Sequence, residues 1–296
     1  MKHLFIINPV AGKGHASSYI PAIHNHFKGK TEEYHIEITQ NPGHAKDIAS
    51  WYSKKDDYRM YATGGDGTLN EVLNGMADSG SSLGVLPAGS GNDFIKSIYK
   101  SRDYSDILDK TINAPVVPID CGIINGRYFI NIMSVGFDAE VAYYSAKLNK
   151  KLHLKGSLSY FAGIATALLK GKIKFPVTLT FDDKEVVEME ICLSACTNGK
   201  YYGGGFMPVP TTEYDDGILD VCFVEKKSFF GIMFLIPKYM KGKHTNVKGV
   251  NFRKVRKLKV ESKTELNINL EGELIRAKVV NLELKKHFIN FIIPSE

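Results

Sequence analysis

The first 120 residues alternate short apolar runs with amphipathic stretches, and this alternation limits the fold more than any other feature of the sequence. Unbroken apolar runs are typical of strands that are buried on both faces of a parallel sheet. Amphipathic stretches between such strands are typical of the helices that cover the sheet. The pattern therefore predicts an α/β domain of three layers with a doubly wound sheet. The predicted strands span 3–8, 34–39, 58–63, 83–87 and 116–121, and the predicted helices span 17–27, 43–53, 68–76 and 92–99.

The pattern changes after residue 122, where strand-like runs follow one another with few helices between them. Such a succession predicts an antiparallel, β-sandwich-like domain that spans residues 123–285. It follows an α/β domain that spans residues 1–122. Two segments, 158–169 and 229–240, are apolar around most of a helix circumference, which predicts helices packed on a sheet or on a membrane. The predicted strands of this domain span 128–133, 177–181, 186–195, 218–224, 255–261, 266–270, 277–284 and 288–293.

Positive charge is concentrated in one segment of the second domain, residues 226–263. The segment contains twelve Lys and Arg and one acidic residue, Glu261, although the net charge of the whole chain is only +6. A basic segment around an apolar run, here 229–236, is typical of a peripheral contact with an anionic membrane. The alternative is that the run packs on the β domain while the lysines are simply solvated. The lysines expected to face lipid headgroups are Lys238, Lys241, Lys243 and Lys248.

The sequence shows no signal for export or for a membrane span. Residues 1–9 lack the apolar region of a signal peptide, and no apolar run approaches the ~20 residues that cross a bilayer. The four cysteines form no C-x-x-C pair and lie within apolar runs, which favours buried thiols in a reducing compartment. We therefore expect a cytoplasmic protein that contacts membranes peripherally and binds no nucleic acid. The histidines, His153 among them, show no metal-ligand spacing and are expected to be structural or surface residues.

Glycine-rich turns follow three of the predicted strands, at residues 8–14, 64–68 and 88–94. In a parallel sheet such turns meet at the carboxyl edge, where ligands bind. Glycines allow backbone N–H groups to approach phosphate oxygens, and helix N-termini favour anions. Asp66 would repel a phosphate unless a cation such as Mg²⁺ bridges the two, and Lys13 can neutralise phosphate charge. One such turn could be a simple helix cap, but three together favour a nucleotide-phosphate site.

The order of the motifs extends this interpretation over nearly the whole chain. It resembles the bacterial diacylglycerol kinase family and related lipid kinases, and it implies a two-domain fold with ATP in a cleft and the tail 286–296 returning to the first domain. G-G-D-G-T is shared with NAD kinases, whereas the later motifs are more specific to lipid kinases. The matching motifs are N-P-x-x-G-K at 8–13, G-G-D-G-T-L-N-E at 64–71, L-P-x-G-S-G-N-D-F at 86–94, I-D-C-G at 119–122, D-G at 216–217 and E-G-E at 271–273.

The resemblance also implies roles for individual residues. Asp66 and Asp120 would lie near a catalytic Mg²⁺, and Glu273 would be the general base. Here Glu271 stands where the family pattern usually has Asp, which keeps a carboxylate, and a polar hairpin turn remains the alternative for 271–273. A structural Mg²⁺ is implied at Glu213, Asp216 and Ile218. ATP contacts or nearby positions are implied for Asn8, Gly12, Lys13, Thr39, Gly64, Gly65, Asp66, Gly67, Thr68, Leu69, Asn70, Ser90, Asn92, Asp93 and Lys96.

The expected reaction follows from the resemblance and from the residues together. We expect an ATP- and Mg²⁺-dependent kinase that phosphorylates a lipid hydroxyl, with diacylglycerol as the favoured acceptor and phosphatidic acid as the product. The alternatives are a kinase for another lipid alcohol, such as a sphingoid base or acylglycerol, or for NAD. A nucleotide-binding membrane adaptor without activity is the non-enzyme alternative, and the intact acidic residues count against it. The sequence leaves a homodimer open.

Overall fold

The computed structural model describes residues 1–99, 101, 103–152, 157–170 and 172–294, so His153 lies outside the described residues. The chain divides into two compact units. The first unit contains Met1–Cys121 and His287–Glu296, and the second unit contains Gly122–Lys286. The sequence pattern places the corresponding transition after residue 122, and the family resemblance implies a returning tail that starts at residue 286.

The first unit is built on a parallel sheet with helices between its strands. Its strands Lys2–Ile7, Arg59–Gly64 and Ser82–Pro87 are mostly apolar and almost completely buried, as expected where helices cover both faces. The edge strand Glu33–Ile38 is more polar and only partly buried. The segment Ala11–Ser18 precedes the first α-helix and contains short helical turns interrupted by left-handed backbone at Gly12, Lys13 and Gly14. The strands are β1 Lys2–Ile7, β2 Glu33–Ile38, β3 Arg59–Gly64, β4 Ser82–Pro87 and β5 Val116–Ile124, and the helices are α1 Tyr19–Phe27, α2 His44–Ser53, α3 Asp66–Met76, α4 Ile95–Ile98 and α5 Ile107–Ile112.

The strand order of the first unit brings the three glycine-rich turns to one edge. β1 lies between β2 and β3, and β4 pairs with the other side of β3, all in parallel register. The end of the chain adds a further parallel strand, in which Asn290 pairs with Ser82 of β4. β1, β3 and β4 therefore end side by side, and their following turns occupy the same carboxyl edge. The predicted α/β domain is confirmed.

The second unit is dominated by antiparallel strands. It also contains the helices predicted at 158–169 and 229–240, both of which are confirmed as α7 and α8. The strands are β6 Arg127–Phe129, β7 Ile132–Gly136, β8 Phe175–Phe181, β9 Glu185–Thr197, β10 Leu219–Glu225, β11 Val250–Val255, β12 Lys257–Leu270 and β13 Glu273–Ile292, of which the last residues belong to the first unit, and the helices are α6 Phe137–Leu152, α7 Ser157–Leu169 and α8 Phe229–Met240.

Antiparallel pairing organises these strands as the sequence predicts. β11, β10, β9, β7, β12 and β13 are neighbours in that order, and β8 pairs with both β9 and β12. A large apolar core lies against this sheet, with Phe129, Leu179, Val221 and Ile268 among its buried members. The four cysteines are buried and none is in a disulfide among the described residues, as predicted. Among the helices in the described ranges, none is long and apolar enough to cross a membrane.

Several predicted boundaries are wrong, and long polar strands explain most of the errors. The predicted strands 255–261 and 266–270 form one strand, β12, with a register shift across the polar residues between them. The runs 277–284 and 288–293 likewise belong to one strand, β13. Their charged residues face solvent, so polarity did not mark a turn. In contrast, the predicted strand 128–133 is divided between β6 and β7.

Three elements were not predicted from the sequence. Helix α6 has 16 residues and includes the acidic residues Asp138 and Glu140, whose side chains are nevertheless buried. Its amphipathic period is therefore weak, because tertiary hydrogen bonds satisfy polar side chains on the packed side. The short helix α5 and strand β11 were also missed. The predicted helix 92–99 is reduced to the single turn α4, because a loop occupies its first residues.

Candidate functional site

Three glycine-lined loops pack against one another at the carboxyl edge of the first unit. Gly12 has a positive φ of 58°, and a Cβ atom there would overlap the carbonyl oxygen of Ala88. A Cβ atom on Gly89 would overlap the Cα atom of Gly65. The loops after β1, β3 and β4 therefore approach each other backbone to backbone, which only glycine permits at these positions. The structure brings together the three predicted turns.

Polar side chains fix the shape of these loops. The Asn8 side-chain amide donates a hydrogen bond to the Thr68 hydroxyl at 3.1 Å, which ties the loop after β1 to the start of α3. The Gly64 carbonyl accepts the N–H groups of Ala88 and Gly89 at 2.8 and 3.1 Å. Asn92, at a φ of 50°, accepts the Gly89 N–H at 2.9 Å. Much of what the motifs specify is therefore the conformation of the loops themselves.

Asp66 and Asp93 form a pair of carboxylates at this edge. Asp66 is the first residue of α3, and its two oxygens accept the backbone N–H groups of Asp93 and Phe94, each at 3.1 Å. A Cβ atom on Gly91 would lie 3.0 Å from an Asp66 oxygen and 3.4 Å from an Asp93 oxygen, so both carboxylates border this glycine. The Asp93 side chain is buried and accepts a hydrogen bond from the Lys96 ammonium at 3.1 Å.

The electrostatics of this pair favour a bound cation. Burial, and then the neighbouring Asp93 carboxylate, raise the pKa of Asp66 above its usual range. Lys96 supplies one positive charge against two carboxylates. The pair therefore fits a hard divalent cation, for which carboxylate oxygens are the preferred ligands. In the described ranges, no group of three or more His, Cys, Asp or Glu is arranged to hold a metal ion, so phosphate or water oxygens would have to complete the coordination.

The other residues predicted to contact ATP differ in whether their side chains are exposed or buried. Ser90 and Lys13 are exposed at the loop tips, and Lys13 has a left-handed φ of 60°. Thr39 is buried after β2, where its N–H donates to the Ile7 carbonyl at 2.9 Å. The side chains of Leu69 and Asn70 are buried inside the unit. Near the start of α3, backbone N–H groups are therefore better candidates for phosphate contacts than the buried side chains of Leu69 and Asn70.

Glu71, the last residue of the G-G-D-G-T-L-N-E motif, has a structural task that the sequence did not reveal. Its two carboxylate oxygens accept the N–H groups of Gly43 at 2.9 Å and Ala45 at 3.2 Å. These donors lie at the N-terminus of α2, whose first N–H groups have no partner within the helix. Glu71 therefore caps α2 and fixes it to α3, which carries Asp66.

Asp120 lies on β5 and is fully buried. One of its oxygens accepts the backbone N–H of His287 at 2.7 Å, so the carboxylate holds the returning C-terminal segment within the first unit. This tether was not foreseen from the sequence. The role of Asp120 near a catalytic metal ion stays a prediction.

The turn 271–273 of the second unit contains two glutamates with different environments. Glu271 is buried at a φ of 54°, and one oxygen accepts the N–H groups of Ile130 and Asn131 at 2.9 and 2.7 Å. Glu273 is half exposed and forms an ion pair with Arg127 at 2.6 Å. The first glutamate anchors the turn, whereas the second presents a carboxylate to solvent. The predicted base is thus the accessible member of the two.

The acidic turn around Asp216 contains a lysine that the sequence analysis did not connect with it. The Lys254 ammonium lies 3.2 Å from an Asp216 oxygen and 3.4 Å from an oxygen of Asp220. The other Asp216 oxygen accepts the Ile218 N–H at 3.1 Å. The second Asp220 oxygen is buried and has no hydrogen-bond partner in the described part of the chain, and burial raises the pKa of Asp220. These oxygens fit a cation, and Lys254 already supplies one charge.

A glycine-lined edge with a carboxylate pair, in an α/β unit followed by an antiparallel β unit, is the arrangement expected of a kinase. Comparisons with known proteins agree. Residues 2–124 match the family model "Diacylglycerol kinase catalytic domain", and residues 131–292 match the "YegS C-terminal NAD kinase beta sandwich-like domain". The chain belongs to the diacylglycerol kinase family.

Individual relatives match almost the whole chain. This chain is 30% identical to a diacylglycerol kinase of Bacillus subtilis (strain 168), and the match covers 98% of this chain and 96% of the relative. The crystal structure of a candidate diacylglycerol kinase from Bacillus anthracis str. Sterne is similar with a TM-score of 0.78 and 27% identity, and covers 99% of this chain and 97% of its own. An NAD kinase from Archaeoglobus fulgidus, at 12% identity and a TM-score of 0.54 over 99% and 93%, shares the fold alone.

Proposed function

We propose that this chain transfers the γ-phosphoryl group of ATP to a lipid hydroxyl, with diacylglycerol as the acceptor and phosphatidic acid as the product. The observation that carries this proposal is the Asp66–Asp93 pair at the glycine-lined edge of the first unit. Phosphoryl transfer requires positioning and charge neutralisation more than covalent chemistry, and this edge offers both. The acceptor class is supported by the diacylglycerol kinase of Bacillus subtilis to which the chain is similar.

The loops supply the groups that would hold the nucleotide. The lack of a Cβ atom at Gly65 lets phosphate oxygens approach the backbone closely, and the N-terminus of α3 favours negative charge. Mg²⁺ would supply charge neutralisation between the phosphates and the carboxylates of Asp66 and Asp93, with Asp120 as the further predicted ligand. The Lys96 ammonium contacts the Asp93 carboxylate at 3.1 Å and so helps to orient it.

On the acceptor side, Glu273 would accept the proton of the lipid hydroxyl as the oxygen attacks the γ-phosphorus and ADP leaves. Two features support this role. Its carboxylate is accessible, and the ion pair with the Arg127 guanidinium at 2.6 Å holds it in a defined orientation. Glu271 would act only indirectly, since its buried oxygen holds the turn on which Glu273 lies.

The test is transfer of ³²P from labelled ATP to defined acceptors with Mg²⁺ present. Diacylglycerol, monoacylglycerol, a sphingoid base and NAD are compared in parallel, because the fold is shared with an NAD kinase. We expect label in phosphatidic acid. Asp66→Asn should abolish transfer, and the matched control Asp47→Asn, which removes an exposed carboxylate on α2, should not. Label in NAD alone, or no label in any acceptor, would overturn the proposal.

We also propose that residues 226–263 contact a membrane. Helix α8 in this segment packs one face on the second unit and exposes apolar side chains on another face. Ile232, Leu235 and Tyr239 are buried against the second unit. Phe230 and Phe234, on another face, remain 79% and 65% exposed. Such exposure of large aromatic rings on one helix favours insertion into a lipid interface.

Charge near α8 supports the same surface. Lys241, Lys243 and Lys248 are exposed directly after the helix, and the Lys238 ammonium lies 4.2 Å from the centroid of the Phe234 ring. Basic residues on the strands of the segment are engaged differently, as Lys257 pairs with Asp183. We therefore narrow the proposed contact from the whole basic segment to α8 and the loop that follows it, on an anionic membrane.

The acidic turn of the second unit is proposed to hold a structural cation, as predicted for Glu213, Asp216 and Ile218. The support is the buried Asp220 oxygen near Asp216, which has no hydrogen-bond partner among the described residues. Lys254 would compete with a metal ion for both carboxylates, since its ammonium lies within 3.4 Å of each. The stabilisation gained from Mg²⁺ at this turn is therefore expected to be modest.

A further inference from the structure

The turn that carries Glu273, the proposed base, is a two-residue connection between β12 and β13. Leu270 pairs with Glu273 across it, and the residues between them, Glu271 and Gly272, have positive φ angles of 54° and 87°. Positive φ at both central residues is typical of a type I′ turn, and it is unfavourable for a residue such as glutamate. Contacts from outside the turn are therefore needed to hold it in this conformation.

One such contact comes from the side chain of Asn269, which lies near the end of β12 and is buried. Its Oδ1 atom accepts the Gly272 N–H at 3.0 Å. Its Nδ2 group donates to an oxygen of Asp138 at 3.4 Å. An amide has its acceptor on one side and its donor on the other, so these two contacts require a single orientation of the Asn269 amide. Asp138 therefore determines which end of the amide faces Gly272.

Asp138 lies in the first turn of α6 and is itself held from several sides. One of its oxygens accepts the hydroxyl hydrogens of Tyr160 and Tyr202 at 2.8 and 2.9 Å. The other oxygen, which contacts Asn269, also accepts the hydroxyl hydrogen of Ser134. These four neighbours all donate to Asp138, so its buried carboxylate acts as an acceptor at both oxygens. It can therefore pair only with the Nδ2 end of Asn269.

A second pair of the same kind joins α6 to β12 but does not contact the turn. The buried Glu140 of α6 accepts the Nδ2 group of Asn267 at 2.7 Å, and Lys172 lies 3.5 Å from the same oxygen. The Oδ1 atom of Asn267 accepts the Nε group of Arg276 on β13 at 3.1 Å. This pair also joins a buried carboxylate to an amide of the same strand, so it provides matched controls.

We propose that Asp138 and Asn269 are positioning residues for phosphoryl transfer. Asp138 orients the Asn269 amide, and this amide holds the Gly272 N–H and thereby the turn on which Glu273 lies. The inference rests on the proposed kinase function and adds two residues that act through Glu273. A general base works only within hydrogen-bond reach of the proton that it accepts. A displacement of about 1 Å can lower the rate by roughly 10²-fold, so support of the turn affects turnover directly.

The first test exchanges the two side chains. Asp138→Asn would turn an amide nitrogen toward the Asn269 amide nitrogen, so that two donors meet, and Asn269→Asp would bring two carboxylates together. The double variant Asp138→Asn/Asn269→Asp again pairs a donor with an acceptor and leaves a carboxylate oxygen for the Gly272 N–H. Each single variant should lower kcat roughly 10- to 100-fold with KM for ATP unchanged, and the double variant should recover most of the loss. A double variant no more active than the weaker single variant would overturn the inference.

The second test asks whether these residues act through Glu273, and it uses Asn269→Ala as the milder change, since Asp138 keeps its three hydroxyl donors. Asn269→Ala and Asp138→Asn should each lower kcat much less in a Glu273→Gln background than in wild type, because the base is already absent. The controls Asn267→Ala and Glu140→Gln should change kcat by the same factor in both backgrounds. Equal factors in both backgrounds for Asn269→Ala, measured below its melting temperature, would refute the positioning role.

Hydrogen exchange of the Gly272 N–H, measured by NMR without ATP or acceptor, distinguishes failure of this inference from failure of the proposed function. Asn269→Ala and Asp138→Asn should speed this exchange, the double exchange variant should restore it, and Glu140→Gln should leave it unchanged. If lipid is phosphorylated but Gly272 exchanges equally in wild type and Asn269→Ala, the positioning role is overturned and the kinase assignment stands. If exchange responds as expected but wild type phosphorylates no acceptor, the proposed function is wrong, and with it the role of Asp138 in transfer.

Discussion

Glu271 and Glu273 are separated by one glycine, and their environments predict different consequences for removing each carboxylate. One Glu271 oxygen accepts the N–H groups of Ile130, Asn131 and Ile132 at 2.9, 2.7 and 3.3 Å, in a buried position. Glu271→Ala would leave these three donors without this partner. A buried unsatisfied group costs about 1–3 kcal/mol, and partial access of water at a turn favours the lower end, so the free energy of unfolding should fall by about 2–4 kcal/mol.

Glu273→Ala should have the opposite profile. Its ion pair with Arg127 joins two half-exposed side chains, and such pairs contribute about 0–1 kcal/mol to stability. The unfolding free energy should therefore change little. Turnover should fall by roughly 10²–10⁴ for Glu273→Ala and Glu273→Gln alike, as expected for loss of a general base, with ATP binding retained.

The assay is urea unfolding monitored by circular dichroism, combined with thermal melts and ³²P transfer. For a unit of this size, about 1 kcal/mol shifts the melting temperature by roughly 2–4 °C, so Glu271→Ala should melt roughly 4–16 °C below wild type. Glu271→Gln, which keeps an acceptor oxygen, should lose less stability than Glu271→Ala. Equal stability of the Glu271→Ala and Glu273→Ala variants would refute the assignment of Glu271 as the anchor, and normal turnover of Glu273→Gln would remove that residue as the base.

Three further predictions concern bound cations and membranes. The pKa of Asp66 is raised in the folded protein, so its ionised form lowers the stability of the metal-free folded state. This loss of stability disappears as the pH falls and the carboxylate takes up a proton. Stabilisation by Mg²⁺ should therefore weaken on acidification at pH values above the ordinary aspartate pKa of about 3.9, and Asp66→Ala should abolish Mg²⁺-dependent activity. Asp216→Ala should reduce the Mg²⁺-dependent rise in melting temperature measured without ATP, and Lys254→Met should increase it. Lys241→Glu/Lys243→Glu should weaken cosedimentation with anionic vesicles, roughly 30-fold for two contacts of about 1 kcal/mol each, and high salt should do the same.

Each of these predictions has a contrary result, and the first and the last also have a matched control. Asp47→Asn should keep the Mg²⁺ response, and a response that is constant from pH 4 to pH 8 would contradict the assignment of Asp66. Identical Mg²⁺ shifts in wild type and Asp216→Ala would remove the structural cation. Lys263→Glu/Lys278→Glu makes the same charge change at exposed strand positions of the second unit. Vesicle binding that ignores salt, lipid charge and both double variants would exclude electrostatic docking through α8.

The sequence alone determined the fold class, the family and the edge at which the candidate site lies. Apolar period separates buried parallel strands from antiparallel ones, and both predicted domain types are confirmed because this signal depends on neighbours along the chain. Helices α7 and α8 were predicted for the same reason. The three glycine motifs were found because close backbone approach permits only glycine at positions such as Gly12 and Gly89.

The tertiary structure alone decided what individual polar residues do. Glu271 and Glu273 look equivalent in sequence, and only contacts with the distant residues Asn131 and Arg127 distinguish them. Lys254 reaches Asp216 across 38 positions of sequence, which no local pattern reveals. Helix α6 was missed because its buried Asp138 is satisfied by tyrosines far along the chain. Hydrogen bonds and burial are set by proximity in space, so they become visible only when the strands and helices have been assembled.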